Sequence, residues 1–261
     1  MLKQEEFPIL EYDPSSKPIV EPKQYDMFFD DNRRRVTRCV FTYFSDIVDV
    51  LERDLTVNQV FRLRTEGYRS RVYEMRTPSG EFIYVLIMPV GAPQAARMME
   101  ILSAQGVKKF MVCGGAGTLD DDKTKDYVLV PTVAVRDEGT SYHYLPPARE
   151  VKMNAHVLDT IIKTLIDEKV DYARVKTWTT DAIFRETQDK LDLRIKEGCH
   201  VVEMECSAFL SVAEHKNLLC GQLLYAADHV KKDGWDYRDW HNRTEKRRKL
   251  FDLAVKCLMN L

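Results

Sequence analysis

The sequence predicts an α/β protein built around a central sheet. From residue 36 onward, short apolar, β-branched runs alternate with segments of helical periodicity. Polar or glycine-rich stretches stand at the ends of those runs, as in Gly114-Gly115-Ala116-Gly117 and Glu203-Met204-Glu205. At 261 residues the chain is long enough to bury one large core.

Pro8, Pro14, Pro18 and Pro22 rule out a long helix in residues 1–30, which read as an extended N-terminal arm ahead of a domain spanning 31–261. Residues 36–44 read as a strand and 45–53 as a helix, with Ser45 placed to cap it. Strands are expected at 61–77 and 82–88, separated by the turn Pro78-Ser79-Gly80. A helix follows at 93–105, then a short buried strand at 109–113 that ends in the glycines. The run 127–135 is a strand, 154–167 a helix, 174–179 a strand and 188–197 a helix. A strand at 200–204 leads into a helix at 205–215; 221–226 is a strand, and an amphipathic helix closes the sequence at 245–261.

The net charge of −2 gives no global attraction to nucleic acid or to an anionic membrane. No apolar run is long enough to span a bilayer, and the first residues lack a signal-peptide layout. The six cysteines lie mostly in apolar segments and none has CxxC spacing. Free buried thiols in a reducing cytoplasm are expected, and no metal site.

The most informative stretch is Val201-Val202-Glu203-Met204-Glu205-Cys206-Ser207-Ala208. If the chain stays extended through Glu205, Glu203 and Glu205 point to one face. A carboxylate there can accept two hydrogen bonds from a vicinal diol, as in ribose. The glycines at 114–117 let backbone approach an anion or a sugar, or serve a tight turn with positive φ; a dinucleotide fingerprint is incomplete, since Asp120 stands where its third glycine belongs. The loop 136–147 carries Arg136 and His143 after a strand, where substrate contacts and loop-ordering hydrogen bonds are both in character. Arg185 can meet a phosphate or a base carbonyl, or pair with Asp181 or Glu186. The apolar run 223–227 ends in Asp228, placed either to exchange a proton or to cap the next segment.

These stretches, in this order, resemble the purine/uridine phosphorylase superfamily over residues 36–260. The resemblance implies a three-layer α/β fold around a mixed, partly barrel-like sheet, in subunits that form homodimers or hexamers. It implies ribose held by Glu205, with Met204 packed on the sugar and Glu203 supporting or sharing the clamp. Gly114 and Gly115 would lie beside phosphate and ribose, and Phe184, with Ile183 second, against the base. Asp228 would protonate a purine at N7, although Ala227 replaces the family's serine before it. His143 stands in a loop similar to that of uridine phosphorylases. No cofactor is implied; inorganic phosphate is the co-substrate.

Departures concentrate on phosphate. The family's Pro-Gly-Asp-Pro-x-Arg reads Thr42-Tyr43-Phe44-Ser45-Asp46-Ile47 here, and its arginine and hydroxyl residue around the glycines read Val112 and Gly115. Arg69 would be the arginine donated across a dimer, and Arg136, Arg185 or one of residues 33–35 would replace the missing cations. A nucleoside phosphorylase is therefore expected. The alternatives are a nucleosidase using water, for which Asp46 is the nearest candidate base, and a catalytically silent nucleoside-binding protein. Residues 231–240 follow Asp228 and read as a lid over the base.

Overall fold

A computed structural model describes residues 2–14, 17–24, 34–64, 69–231 and 234–261. Its strands are β1 (Arg38–Thr42), β2 (Val57–Arg64), β3 (Arg69–Arg76), β4 (Phe82–Ile87), β5 (Lys109–Thr118), β6 (Val128–Asp137), β7 (Glu150–Lys152), β8 (Tyr172–Thr180), β9 (Val201–Glu203), β10 (Leu219–Lys231) and β11 (Gly234–Asp236). Its helices are α1 (Ser45–Arg53), α2 (Ala92–Ala104), α3 (Asp121–Thr124), α4 (Ala155–Asp167), α5 (Gln188–Lys196), α6 (Cys206–Lys216) and α7 (Thr244–Asn260).

The strands form one mixed sheet in the order β11-β10-β6-β8-β9-β5-β1-β4-β3-β2, with β7 beside β6. An added parallel pairing of β10 with β5 closes β5, β10, β6, β8 and β9 into a ring. Inside it, Ala116, Leu129, Val175, Val201 and Leu224 pack together, one residue from each ring strand. Four further strands, β1 to β4, extend from β5 as an open wing, and β11 and β7 flank β10 and β6. Helices α1, α4 and α7 cover one apolar face, and α2 and α6 the other, which makes three layers.

Several elements differ from the sequence expectation, each for a local reason. The run 61–77 is not one strand: β2 and β3 pair antiparallel, so the chain reverses between them. Ser45 is the first helical residue rather than the cap; the cap is Phe44, whose N–H donates to Thr42 Oγ1 at 3.2 Å. The glycines at 114–117 are not a turn. β5 runs through them to Thr118 with none at positive φ. Their need is space: a Cβ on Gly115 would stand 2.8 Å from the Ala227 Cβ, and one on Gly117 would stand 3.0 Å from Val202 Cγ1.

Proline-rich residues of the arm form a short 3-10 turn at Pro8–Leu10 and lie against α2 and the loop after β6. The arm's expected end at residue 30 falls outside the described residues. Among the described residues no helix is long and apolar enough to cross a membrane.

Close packing between β10 and α4 can be tested at Gly221. A Cβ there would meet Ile161 Cδ1 at 2.6 Å, Met111 Sδ at 2.8 Å and Val157 Cγ1 at 2.9 Å. Gly221→Ala is expected to destabilise the fold by about 1–3 kcal/mol through overpacking, read from the urea unfolding midpoint.

Candidate active site

Glu203 ends β9 and its side chain is buried. It is fully committed within the protein. Its Oε1 accepts from Thr179 Oγ1 at 2.5 Å and Thr177 Oγ1 at 3.2 Å, and its Oε2 from the N–H groups of Glu205 at 2.8 Å and Cys206 at 2.6 Å. The last two are free donors at the start of α6, so Glu203 caps that helix from two residues upstream. Extended geometry therefore ends at Glu203, and Glu203 and Glu205 do not form a symmetric pair. A carboxylate with four partners inside the protein is not a clamp for substrate.

Glu205 is also buried but turns the other way, and its Oε1 accepts the Gly91 N–H at 2.6 Å. Gly91 has φ of +109°, open to glycine, and caps α2, so Glu205 faces the positive end of a second helix. Burial, and then the Glu203 charge, raise the Glu205 pKa above the ordinary 4.5. Beside it the Tyr43 ring covers Gly114; a Cβ on Gly114 would lie 3.0 Å from Tyr43 Cδ2.

Asp228 stands on β10 just past an irregularity in its pairing with β5. Its Oδ2 accepts from Trp235 Nε1 at 2.5 Å and lies 3.4 Å from where a Gly117 Cβ would be. Burial raises the Asp228 pKa. Glu186 shares this end: burial and then the Asp228 charge push its pKa up to about 7. The stretch 231–240 opens as a hairpin, with β11 antiparallel to β10 and Trp235 opposite Val230. Residues 232–233 of that expected lid lie outside the described residues.

The glycine strand links the two ends. Gly114 lies under the Tyr43 ring, whose hydroxyl faces Glu205, and Gly117 borders Asp228. Three residues of strand separate them by about 10 Å, the scale of a nucleoside. Gly115 between them is exposed.

Other expected residues are placed differently. Arg136 is buried, and its guanidinium donates to Ser141 Oγ at 2.9 Å, Pro146 O at 2.8 Å and Leu145 O at 3.2 Å, against the Tyr142 ring. Three of its five N–H donors shape its own loop. His143 is exposed and opens on a cavity of about 830 Å³ between the arm, α2 and its loop, lined by neither Glu205 nor Asp228. Phe184 is 96% exposed, because the 3-10 turn Ile183–Arg185 buries none of its residues. Ile183 and Arg185 on that turn are exposed too. The aromatic ring in contact with Asp228 is instead Trp235. Met204 lies half-buried between the two acids in the chain. Arg69 opens β3 opposite Arg64, and only its backbone is described.

Of the other candidate cations, Arg34 pairs with Glu74 and lies over the Phe82 ring, and residue 33 is outside the described residues. Asp46 is held by Arg247 at 3.1 Å and by Thr244 Oγ1 at 3.0 Å. Arg247 also donates to the Tyr225 hydroxyl at 3.3 Å. Among the described residues no cluster of three or more His, Cys, Asp or Glu could hold a metal ion. Sequence reasoning misses Gly91, Tyr43, Glu186 and Arg247. Only Gly91 carries a local signal, a glycine two residues before the helix-starting Pro93.

The model of the phosphorylase superfamily matches residues 47–258. The chain belongs to that superfamily. Among its relatives, a DeoD-type purine nucleoside phosphorylase of Aliivibrio fischeri is 25% identical over 159 residues, 59% of this chain and 66% of the relative. A guanosine phosphorylase of Halorubrum lacusprofundi is 27% identical over 134 residues, 51% of this chain and 56% of the relative. The chain thus spans between half and two thirds of the length of these curated relatives. In fold it is similar to a uridine phosphorylase from Vibrio fischeri (TM-score 0.72, 22% identity, 89% of this chain and 95% of that one). It is also similar to an AMP nucleosidase from Bacteroides thetaiotaomicron (TM-score 0.69, 20% identity, 91% and 96%).

Two measurements test this geometry. Glu203→Ala leaves two helix N–H groups and two threonine hydroxyls without their acceptor, and is expected to lower stability by about 2–4 kcal/mol in urea titration. The raised Glu205 pKa means that the folded chain keeps a proton the unfolded chain has released. Stability from this group is therefore full below 4.5 and falls as pH climbs through the raised value. Glu205→Gln is expected to flatten that decline when unfolding is followed against pH.

Proposed function

We propose that this protein cleaves the N-glycosidic bond of a nucleoside, with inorganic phosphate as acceptor, releasing free base and ribose 1-phosphate. The observation that carries the reading is the placement of two acids, Glu205 buried and Asp228 half-buried, toward opposite ends of one glycine strand. Glu205 faces Tyr43, whose ring covers Gly114, and Asp228 lies at the Gly117 end.

The roles follow from that placement. Glu205 accepts hydrogen bonds from the ribose hydroxyls, and Met204 packs on the sugar. Glu203 holds the start of α6 and so fixes Glu205. Asp228, with its pKa raised by burial, gives its proton to the leaving base as the bond from C1′ stretches. This helps the reaction because the base gains negative charge only as the bond breaks. A purine fits best, since N7 can take the proton. Trp235 supplies an aromatic face and an N–H that keeps Asp228 in place. Ile183 and Phe184 would reach the base from their exposed turn. Gly114 and Gly115 let substrate approach the strand. No metal or organic cofactor is needed.

Homo-oligomers, with Arg69 given across a dimer, belong to the same reading, as does a cytoplasmic setting suited to six buried free thiols. The names of the curated relatives, a purine nucleoside phosphorylase and a guanosine phosphorylase, support phosphate as the acceptor.

Hydrolysis is the second reading, favoured by a specific observation. Arg136 is spent on its loop, the Arg247 charge is balanced by Asp46, and an aromatic ring covers Gly114. A phosphate dianion is held by several donors or cations together.

Base release from adenosine, guanosine, inosine and uridine, followed with and without inorganic phosphate, tests the proposal. Phosphate-dependent release with ribose 1-phosphate as product is expected, and phosphate-independent release selects hydrolysis. Asp228→Asn is expected to lower kcat by about 10²–10⁴-fold. Unchanged turnover in that variant would remove Asp228 from the chemistry.

A further inference from the structure

Tyr43 sits at the end of β1, one residue beyond the strand, where its N–H donates to Cys113 O at 3.3 Å. Its ring lies against β5 at Gly114, where a Cβ would stand 3.0 Å from Cδ2 and crowd it. The ring is thereby fixed, and with it the direction of the hydroxyl.

That hydroxyl is the anomaly. Tyr43 Oη is buried and makes no hydrogen bond of good geometry; the polar group it faces is the Glu205 carboxylate, at the margin of hydrogen-bonding reach. A buried polar group left unpaired costs free energy comparable to a lost hydrogen bond, and such groups are uncommon. The surroundings explain what it is kept for. Burial first, then the Glu205 and Glu203 carboxylates, hold the Tyr43 phenol well above its ordinary pKa, so it remains a donor at any working pH. The Glu205 carboxylate beside it already takes the Gly91 N–H on Oε1. Glu203, the other carboxylate, has all of its partners.

A phenolic donor next to a carboxylate acceptor is complementary to a sugar hydroxyl, which accepts through its oxygen while donating its hydrogen. We propose that Tyr43 is part of the sugar-binding site: its O–H donates to one ribose hydroxyl while that hydroxyl donates to Glu205. Bound sugar would give this donor the well-formed hydrogen bond that it lacks. Tyr43 is thus a specificity-determining residue that favours ribose over the deoxyribose lacking that hydroxyl. A site built to hydrogen-bond an O–H rejects the analogue without it, because its own buried group is then left unpaired. This inference rests on the nucleoside reading above.

The test is Tyr43→Phe, which keeps the ring on Gly114 and removes only the hydroxyl. Turnover of a ribonucleoside and of its 2′-deoxy and 3′-deoxy counterparts is measured for wild type and variant, with a thermal melt to verify folding. The variant is expected to lose about tenfold in kcat/KM on the ribonucleoside and little on the deoxy substrate that lacks the recognised hydroxyl. Equal losses on all three sugars, or none, overturn the proposal. Gly114→Ala gives a second reading should the phenylalanine variant fold poorly, since its Cβ displaces the ring; the same sugar-selective loss is expected, and a uniform loss counts against it. A wild-type protein that cleaves ribonucleosides while Tyr43→Phe keeps the same sugar preference overturns this inference alone. A wild-type protein that neither cleaves nor, by tryptophan fluorescence, binds any ribonucleoside overturns the nucleoside reading together with it.

Discussion

One buried carboxylate organises the site. Glu203 joins β8 through Thr177 and Thr179, and joins its own strand to α6 through two backbone N–H groups. Burying an ionised group without such partners would cost several kcal/mol, and charge-assisted hydrogen bonds offset that. The same network runs outward. Thr179 Oγ1 also accepts the Ser207 N–H at 3.1 Å, and Ser207 Oγ donates to Glu138 Oε1 at 2.8 Å. Glu138 in turn takes the N–H groups of Thr140 and Ser141, and Ser141 Oγ holds Arg136. Two strands, a helix and a loop thereby share one polar spine through an apolar interior.

The spine sets the electrostatics. With Glu203 satisfied and fixed, its charge adds to burial in raising the Glu205 pKa, while the start of α2 at Gly91 acts in the opposite sense. At the far end of the glycine strand, burial raises the Asp228 pKa, and burial together with the Asp228 charge raises that of Glu186. Both ends hold carboxyl groups whose protons are retained to higher pH than usual. Such groups can exchange protons near neutrality, which is where burial of acids becomes useful in chemistry.

Much of this was legible from local pattern. Alternating apolar runs place α1 at Ser45–Arg53 and α4 after its cap Asn154, whose side chain accepts from Val157 N at 3.3 Å. The stretch around Glu203 and Glu205 and the acid at 228 are visible because acids at the end of apolar runs stand out. Reversal within 61–77 is not visible, since both strands share one β-rich composition. Nor is the straight course of β5, because glycines that make room for Ala227 and Val202 look the same in sequence as glycines that turn. Arg136 illustrates the limit for side chains: an arginine in a loop looks available until its three acceptors, two of them carbonyls ten or fewer residues away, are seen around it.

What the sequence determined by itself is the succession of elements and the two acid-bearing strand ends, because periodicity and polarity are local properties. Which of the two glutamates is a cap and which faces the site was decided only in three dimensions. They are two residues apart and chemically identical. The difference is made by Thr177, Thr179 and Gly91, brought from 24 to 114 residues away by closure of the ring and the packing of α2. Tyr43 belongs to the same class. Its hydroxyl acquires meaning from Gly114 beneath it and Glu205 beside it, neighbours that only the parallel pairing of β1 with β5 and the return of α6 provide.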